Sequence, residues 1–480
     1  MQVFIATALC KCLYFVGGLV GKGSSLPGQV ALKLFPNVLG NLKLPNHIIA
    51  VTGSNGKTST SELISHALES NGLSVSRNHE GSNQTEGAAT LLLRISSLNG
   101  TINCDAVILE CDERYAKQIF SLVKPTSIVV TNLCRDQLTR NGHPEFVLDC
   151  IQAAVDTACN DATLVLNADD PYVSALTFDS DSDAKEEPHK IVWFGIGSNA
   201  VSGNSISVSK YDDGAFCPCC KERMTYSYRV TAHFGDFRCS SCGFVRKNPN
   251  FEVSDINFSS GMVKIIDNST DTACNHPDST SGNKSDDKRG GTSETESRLA
   301  TSSLVGAYNL TAAISAAYTT GVAPSKAAAA LNNYELTGGR TVRFDIGGRD
   351  GILLIAKHEN SLAYNQSLSW VISQKTHCTV VIVVNSISRK YYTSETSWLW
   401  DIDFDVLGDR MVLNIVLAGH YVSELATRFA MTSIDSSKIS YAEDLSELRE
   451  HIDKNTSGDI YTLTCFSDKA KFLQSIETRG

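Results

Sequence analysis

His47-Ile-Ile-Ala-Val-Thr-Gly-Ser-Asn-Gly-Lys57-Thr58 is the stretch that decides the fold. A compact β-branched run ends in two glycines three residues apart. Ser61-Glu-Leu-Ile-Ser-His-Ala-Leu-Glu-Ser70 then carries apolar residues at helical spacing and stops at Asn71-Gly72. Strand, glycine turn and helix in that order make the first unit of an open α/β sheet. In such a unit the turn Gly53-Ser54-Asn55-Gly56 points backbone amides at an anion, and the helix start adds partial positive charge. Lys57 then reaches a terminal phosphate and the Thr58 hydroxyl suits Mg2+. The plainer alternative is a capped helix after a glycine turn, with Lys57 merely solvated.

Outward from this unit the texture repeats. Buried-strand runs occur at Ala106–Glu110, Ser127–Asn132, Ala162–Asn167 and Lys190–Gly195, with helix-like segments such as Pro144–Ala158 between them. Alternation of this kind predicts a mostly parallel sheet with helices on both faces. A second set of strand candidates follows at 352–357, 379–385, 410–419 and 459–466, so a smaller C-terminal α/β domain is expected. The chain divides as 1–47, a helix and lead-in loop; 48–335, the first α/β domain; and 336–480, the second. Residues 268–303 are rich in Ser, Thr, Asp and Gly and nearly lack large apolar groups, which predicts a disordered loop.

With 480 residues, two or three cores are expected. Lys and Arg number 42 and Asp and Glu 52, a net charge of −10, which argues against a broad nucleic-acid face. The N-terminal Met1–Gly23 is strongly apolar but interrupted by Lys11. It reads as a packed or interfacial helix, not a spanning one or a secretory leader, and the expected location is the cytoplasm.

A second chemical signal lies at 215–245. Cys217-Pro-Cys-Cys220 and Cys239-Ser-Ser-Cys242 are two C-x-x-C knuckles, a spacing that surrounds Zn2+ with four thiolates. Cys219 and His233 are the alternative ligands, and a redox pair is the competing reading. Four protein ligands leave no open position, so the metal would be structural.

Taken with Thr52-Gly-Ser-Asn-Gly-Lys-Thr58, further motifs appear in order: Glu110 after a strand, Thr131-Asn-Leu133 with Arg135-Asp-Gln137, Asn167-Ala-Asp-Asp-Pro171, and Leu304-Val-Gly-Ala-Tyr-Asn309. On these the chain resembles the Mur ligase superfamily, including the folylpolyglutamate synthases. The resemblance implies ATP and Mg2+, with Glu110 holding the magnesium and Asn309 and Arg340 contacting the nucleotide; Asp112 and Glu113 remain alternatives to Glu110. With the ribbon and Ser397-Trp-Leu-Trp-Asp401-Ile-Asp403-Phe-Asp405, it narrows to the ligase-like subunits of lipid II isoglutaminyl synthases. That implies a GatD-like glutaminase partner, lipid II as substrate, and Asp401 (or Asp403 or Asp405) supporting the partner's Cys–His pair. Only 52 residues precede Gly53, too few for the uridine-diphosphate domain of the soluble-precursor ligases, which agrees with a lipid-linked substrate. The competing expectations are an amino-acid-adding ligase and a non-catalytic nucleotide-binding scaffold.

Overall fold

A computed structural model describes residues 1–19, 24–78, 82–135, 143–178, 189–201, 212–258, 260–269, 293–301, 303–336, 341–357, 359–386 and 395–477. The chain divides into two compact units: Met1–Leu133, Pro144–Ile206 and Asp213–Leu336 in one, and Cys134–His143, Ser207–Asp212 and Thr337–Gly480 in the other.

The first unit contains β1 (His47–Thr52), β2 (Val75–Arg77), β3 (Ala106–Glu110), β4 (Ser127–Val130), β5 (Thr163–Asn167), β6 (Lys190–Ile196), β7 (Met224–Thr231), β8 (Phe234–Cys239), β9 (Phe251–Asn257), β10 (Met262–Asp267) and β11 (Ser293–Arg298). Nine of these strands form one sheet in the order β11-β10-β9-β6-β5-β4-β1-β3-β2. It is parallel from β2 to β9 and antiparallel at the β9-β10-β11 edge. Strand order reverses around β1, so the carboxyl end of that strand opens where doubly wound sheets bind ligands. Ile48–Thr52 are all buried, as expected of a strand covered on both faces. β7 and β8 form a separate hairpin that carries the ribbon.

Two expectations need correction here. The segment after the N-terminal helix Gln2–Leu19 is not a plain loop: Leu26–Leu34 is a second helix with Pro27 in its first turn. Gly28 packs so closely on the helix Thr85–Ile95 that a Cβ would lie 2.0 Å from Glu86 O. Proline is tolerated in a first turn and glycine permits the approach, so a pair that reads as a breaker serves a helix contact. The expected disorder likewise does not extend over Ser293–Arg298, which pairs antiparallel with β10 and anchors its buried Ser297 to Ala328 O at 3.0 Å. Residues 270–292 of that segment lie outside the described residues.

The second unit contains β12 (Thr341–Ile346), β13 (Arg349–Ala356), β14 (Cys378–Val383), β15 (Val412–Ala418), β16 (Ile439–Ala442) and β17 (Asp459–Cys465), ordered β12-β13-β17-β14-β15-β16. All pairs are parallel except β12-β13. Its apolar core lies on both sheet faces, with Trp398, Phe404 and Phe429 on one and Leu448, Ile452 and Phe472 on the other.

Candidate functional site

The turn after β1 is held by neighbouring strand ends. Gly53 and Gly56 have φ of +121° and +84°, and a Cβ at either position would collide with Thr131 Oγ1 at 2.4 Å or Asn309 Oδ1 at 2.2 Å. Ser54 N donates to Asn132 O (2.8 Å), Asn55 N to Asn132 Oδ1 (3.0 Å), and Thr131 Oγ1 to Asn55 O (2.7 Å). This corrects one expectation: the Ser54 and Asn55 amides brace the turn against β4 instead of facing outward for a phosphate. Asn309 sits against Gly56 because the helix Leu304–Tyr318, capped by the Ser303 hydroxyl, delivers it there.

Lys57 is buried. Its ammonium donates to Gly53 O and to Glu113 Oε1, the latter at 2.5 Å. Thr58 Oγ1 donates to Glu110 Oε2 at 2.9 Å, and the Glu110 backbone is held by the Asn78 side-chain amide, which donates to Glu110 O and accepts from Glu110 N. The two acids therefore divide the work: Glu110 shares its oxygen with the hydroxyl that suits Mg2+, and Glu113 neutralises the cation. A hydroxyl and carboxylate oxygen side by side are hard donors of the kind Mg2+ accepts. Sequence reading left Glu113 as a mere alternative to Glu110, because only the turn at 111–115 brings it back to Lys57. Arg340 lies outside the described residues.

The cysteines assemble as spaced. The sulfurs of Cys217, Cys220, Cys239 and Cys242 all lie within 4.8 Å of one another, with Cys217–Cys242 at 3.7 Å and Cys220–Cys239 at 3.5 Å. Zn–S bonds of about 2.3 Å in a tetrahedron set sulfurs about 3.8 Å apart, so the donor set fits Zn2+. Burial pushes the Cys217 and Cys242 thiols up to about 12. For Cys239 burial also acts upward, but hydrogen bonds from the Cys242 and Ser241 amides outweigh it, and the thiol falls to about 7. Cys219 is exposed and His233 points elsewhere, so neither joins the cluster.

His233 and Arg246 instead tie the ribbon to the sheet. His233 Nε2 is 3.4 Å from Asp170 Oδ1; burial lowers its pKa, yet the Asp170 carboxylate raises it further and leaves it above the ordinary histidine value. Asp170 also accepts from Tyr172 N (2.9 Å) and from Leu133 N (2.7 Å), which follows the Thr131-Asn132 brace of the turn. Asp169 accepts from Arg246 Nε (2.7 Å), Ile196 N (2.7 Å) and Tyr308 Oη (2.6 Å), the neighbour of Asn309. Two adjacent acids at the end of β5 thus connect ribbon, turn and the Asn309 helix. The Asn167–Pro171 motif flagged these positions without disclosing the partners.

In the second unit, Asp401 is buried at the end of a short turn, and Arg135, which groups with this unit, places Nη1 3.7 Å from its Oδ2. Asp405 is occupied by the Ser433 amide (2.8 Å) and hydroxyl (3.1 Å). The Asp403 amide donates to Asn365 Oδ1 at 2.8 Å.

Residues 51–234 match the Mur ligase middle domain, and residues 358–468 match the MurT ligase C-terminal domain. Both stretches are thus similar to the Mur ligases, the second to their MurT branch. Subunit MurT of the glutamine-hydrolysing lipid II isoglutaminyl synthase of Staphylococcus aureus (strain N315) is 26% identical over 437 residues, covering 91% of this chain and 89% of that one. The subunit of the same name from Streptococcus pneumoniae (strain ATCC BAA-255 / R6) is 26% identical over 467 residues, 97% and 95% of the two chains. Among solved structures, a pseudomurein peptide ligase type C from Methanothermus fervidus superposes with a TM-score of 0.64 at 19% identity, covering 92% of this chain and 80% of that one. The likeness to the Mur ligase fold therefore extends over nearly the whole chain.

Proposed function

We propose that this chain is the synthetase subunit of a glutamine-dependent amidotransferase acting on lipid II. ATP transfers its γ-phosphoryl group to the α-carboxylate of D-glutamate in the stem peptide, giving an acyl phosphate and ADP. Ammonia from a GatD-like glutaminase attacks the carbonyl carbon, the C–O bond to phosphate breaks, the nitrogen loses a proton, and D-isoglutamine and inorganic phosphate result. The observation that carries this reading is the group Lys57, Thr58 and Glu110 at the end of β1, in a chain alike over more than nine-tenths of its length to named synthase subunits.

Gly53, Ser54, Asn55 and Gly56 shape the turn that receives the phosphates. Lys57 exchanges Glu113 for phosphoryl oxygens as the nucleotide arrives, and Asn309 and Arg340 contact the nucleoside. Thr58 and Glu110 would hold Mg2+, which when bound offsets charge on the phosphoryl oxygens. Cys217, Cys220, Cys239 and Cys242 would hold a structural Zn2+. Asp401 orients the histidine of the partner's Cys–His pair, as an acid does in a triad. The chain works at the cytoplasmic face of the membrane, where its lipid-linked substrate lies.

The test combines ATP, lipid II and an ammonium salt and measures product mass. The amide is about one mass unit lighter than the acid; addition of an amino acid would give a far larger gain and transfer the chain to the amino-acid-adding ligases. Bound ATP with no product would make it a scaffold. With the glutaminase added, Asp401→Asn is expected to lose glutamine-driven turnover by up to about 10⁴-fold while ammonia-driven turnover persists; loss of both would remove Asp401 from the partner's machinery.

A further inference from the structure

The helix Gln2–Leu19 packs through one side only. Ala6, Thr7, Cys10 and Gly17 are buried, with Cys10 Sγ 3.9 Å from Thr90 O, Thr7 Oγ1 3.3 Å from Ser96 Oγ, and Tyr14 Oη accepting from Arg94 Nη1 at 3.1 Å. The other side is apolar and open to water: Phe15 is 75% exposed, Val16 58%, Phe4 53% and Ile5 45%. At about 100° per residue these four, with Met1 and Cys12, fall within an arc of about 120°, opposite the packed side, and Lys11 stands at the rim of that arc. Scattered exposed apolar residues need no explanation; two Phe, an Ile and a Val aligned on one helix do.

Charge selects the occupant. The first 56 residues hold Lys11, Lys22, Lys33 and Lys43 and no Asp or Glu, in a chain whose net charge is −10. An acid-free region that exposes an aromatic stripe suits a negatively charged apolar boundary and would repel little of it. Among the described residues no helix is long and apolar enough to cross a membrane, so the helix would lie along the surface. We propose that the face formed by Phe4, Ile5, Phe15 and Val16 docks on an anionic lipid bilayer. This surface is independent of the ligase chemistry, although it would hold the turn after β1 beside a lipid-linked substrate.

Flotation of the full chain with vesicles free of lipid II tests it, so failure here leaves the amidation reading standing. Binding to phosphatidylglycerol-containing vesicles is expected, weaker binding to pure phosphatidylcholine, and a decline with added salt. Phe4→Ser and Phe15→Ser are each expected to lower partitioning about tenfold or more, with ADP affinity and melting temperature unchanged. Lys11→Glu, at the rim of the arc, is expected to weaken binding to the anionic vesicles alone. Partitioning unaffected by any of the three variants would overturn the proposal. So would a stripe that instead supports self-association or capture of the glutaminase, seen as a change of sedimentation with no vesicle binding.

Discussion

The turn after β1 and the cysteine ribbon are both built to hold charge, and they differ in where the counter-charge comes from. Around the turn the protein supplies it for the cation: the Lys57 ammonium is met by Glu113, while the neutral Thr58 hydroxyl only donates to Glu110. In the ribbon, four sulfurs converge within 4.8 Å and the pocket raises two of the thiols to about 12, so ionising them together requires a cation from outside. A site that carries its own counter-ion can exchange it for a ligand and recover it after turnover. A site of four like groups cannot, and is suited to permanent occupancy. The acids Asp169 and Asp170 stand between the two, and both sites depend on them for position.

The largest expected effect breaks the first half of this contrast. Lys57→Ala removes the cation and leaves Glu113 buried without it; ATP-dependent turnover should fall by about 10²–10³-fold or more, with ammonia and glutamine alike. Retained turnover in a steady-state phosphate-release assay would show that the turn does not grip the transferring group.

Next, metal analysis of the purified chain should give about one zinc per chain, and Cys217→Ser should abolish it and lower the melting temperature. A metal-free chain that melts as the native one does would remove the distinction drawn for the ribbon.

Gly56→Ala gives a smaller effect on the turn. The left-handed φ and the approach of Asn309 Oδ1 both oppose a Cβ, so ADP affinity measured by calorimetry should fall about tenfold, with zinc content unchanged. Unchanged affinity would separate Asn309 from the nucleotide.

The smallest effect sharpens the link between the two regions. Because the folded pKa of His233 is raised above its unfolded value, its contribution to stability is fully present below about pH 6.5 and is lost as pH rises through the folded pKa. Asp170→Asn removes the strongest upward influence and leaves only Asp213 against burial, so the His233 pKa followed by NMR should fall and this pH dependence should shrink. A His233 titration identical in the two proteins would show that Asp170 is not its partner.

Much of this is legible in the sequence. The strand-turn-helix at 47–72 and the paired C-x-x-C spacing each lie within a short window where local rules apply. β-Branched runs make buried strands, glycines mark positive φ, and two knuckles suffice for a tetrahedral site. Less legible were segments whose structure is imposed by neighbours. Ser293–Arg298 has no apolar pattern and is a strand because β10 offers an edge and Ala328 an acceptor. Leu26–Leu34 is a helix because Thr85–Ile95 receives Gly28.

The sequence by itself determined the α/β class, the strand, glycine turn and helix that present Lys57 and Thr58, and the four cysteines of the ribbon. Each follows from residue type and short spacing, whereas Glu110 was marked only by a family resemblance. Only the tertiary structure decided that Glu113 neutralises Lys57, that Ser54 and Asn55 face inward to Asn132, that His233 serves Asp170 and not the metal, and that Tyr308 meets Asp169. Those pairings join residues 56 to 139 positions apart, and long-range partners are selected by which buried charges and hydrogen-bond groups the packed sheet leaves to be satisfied.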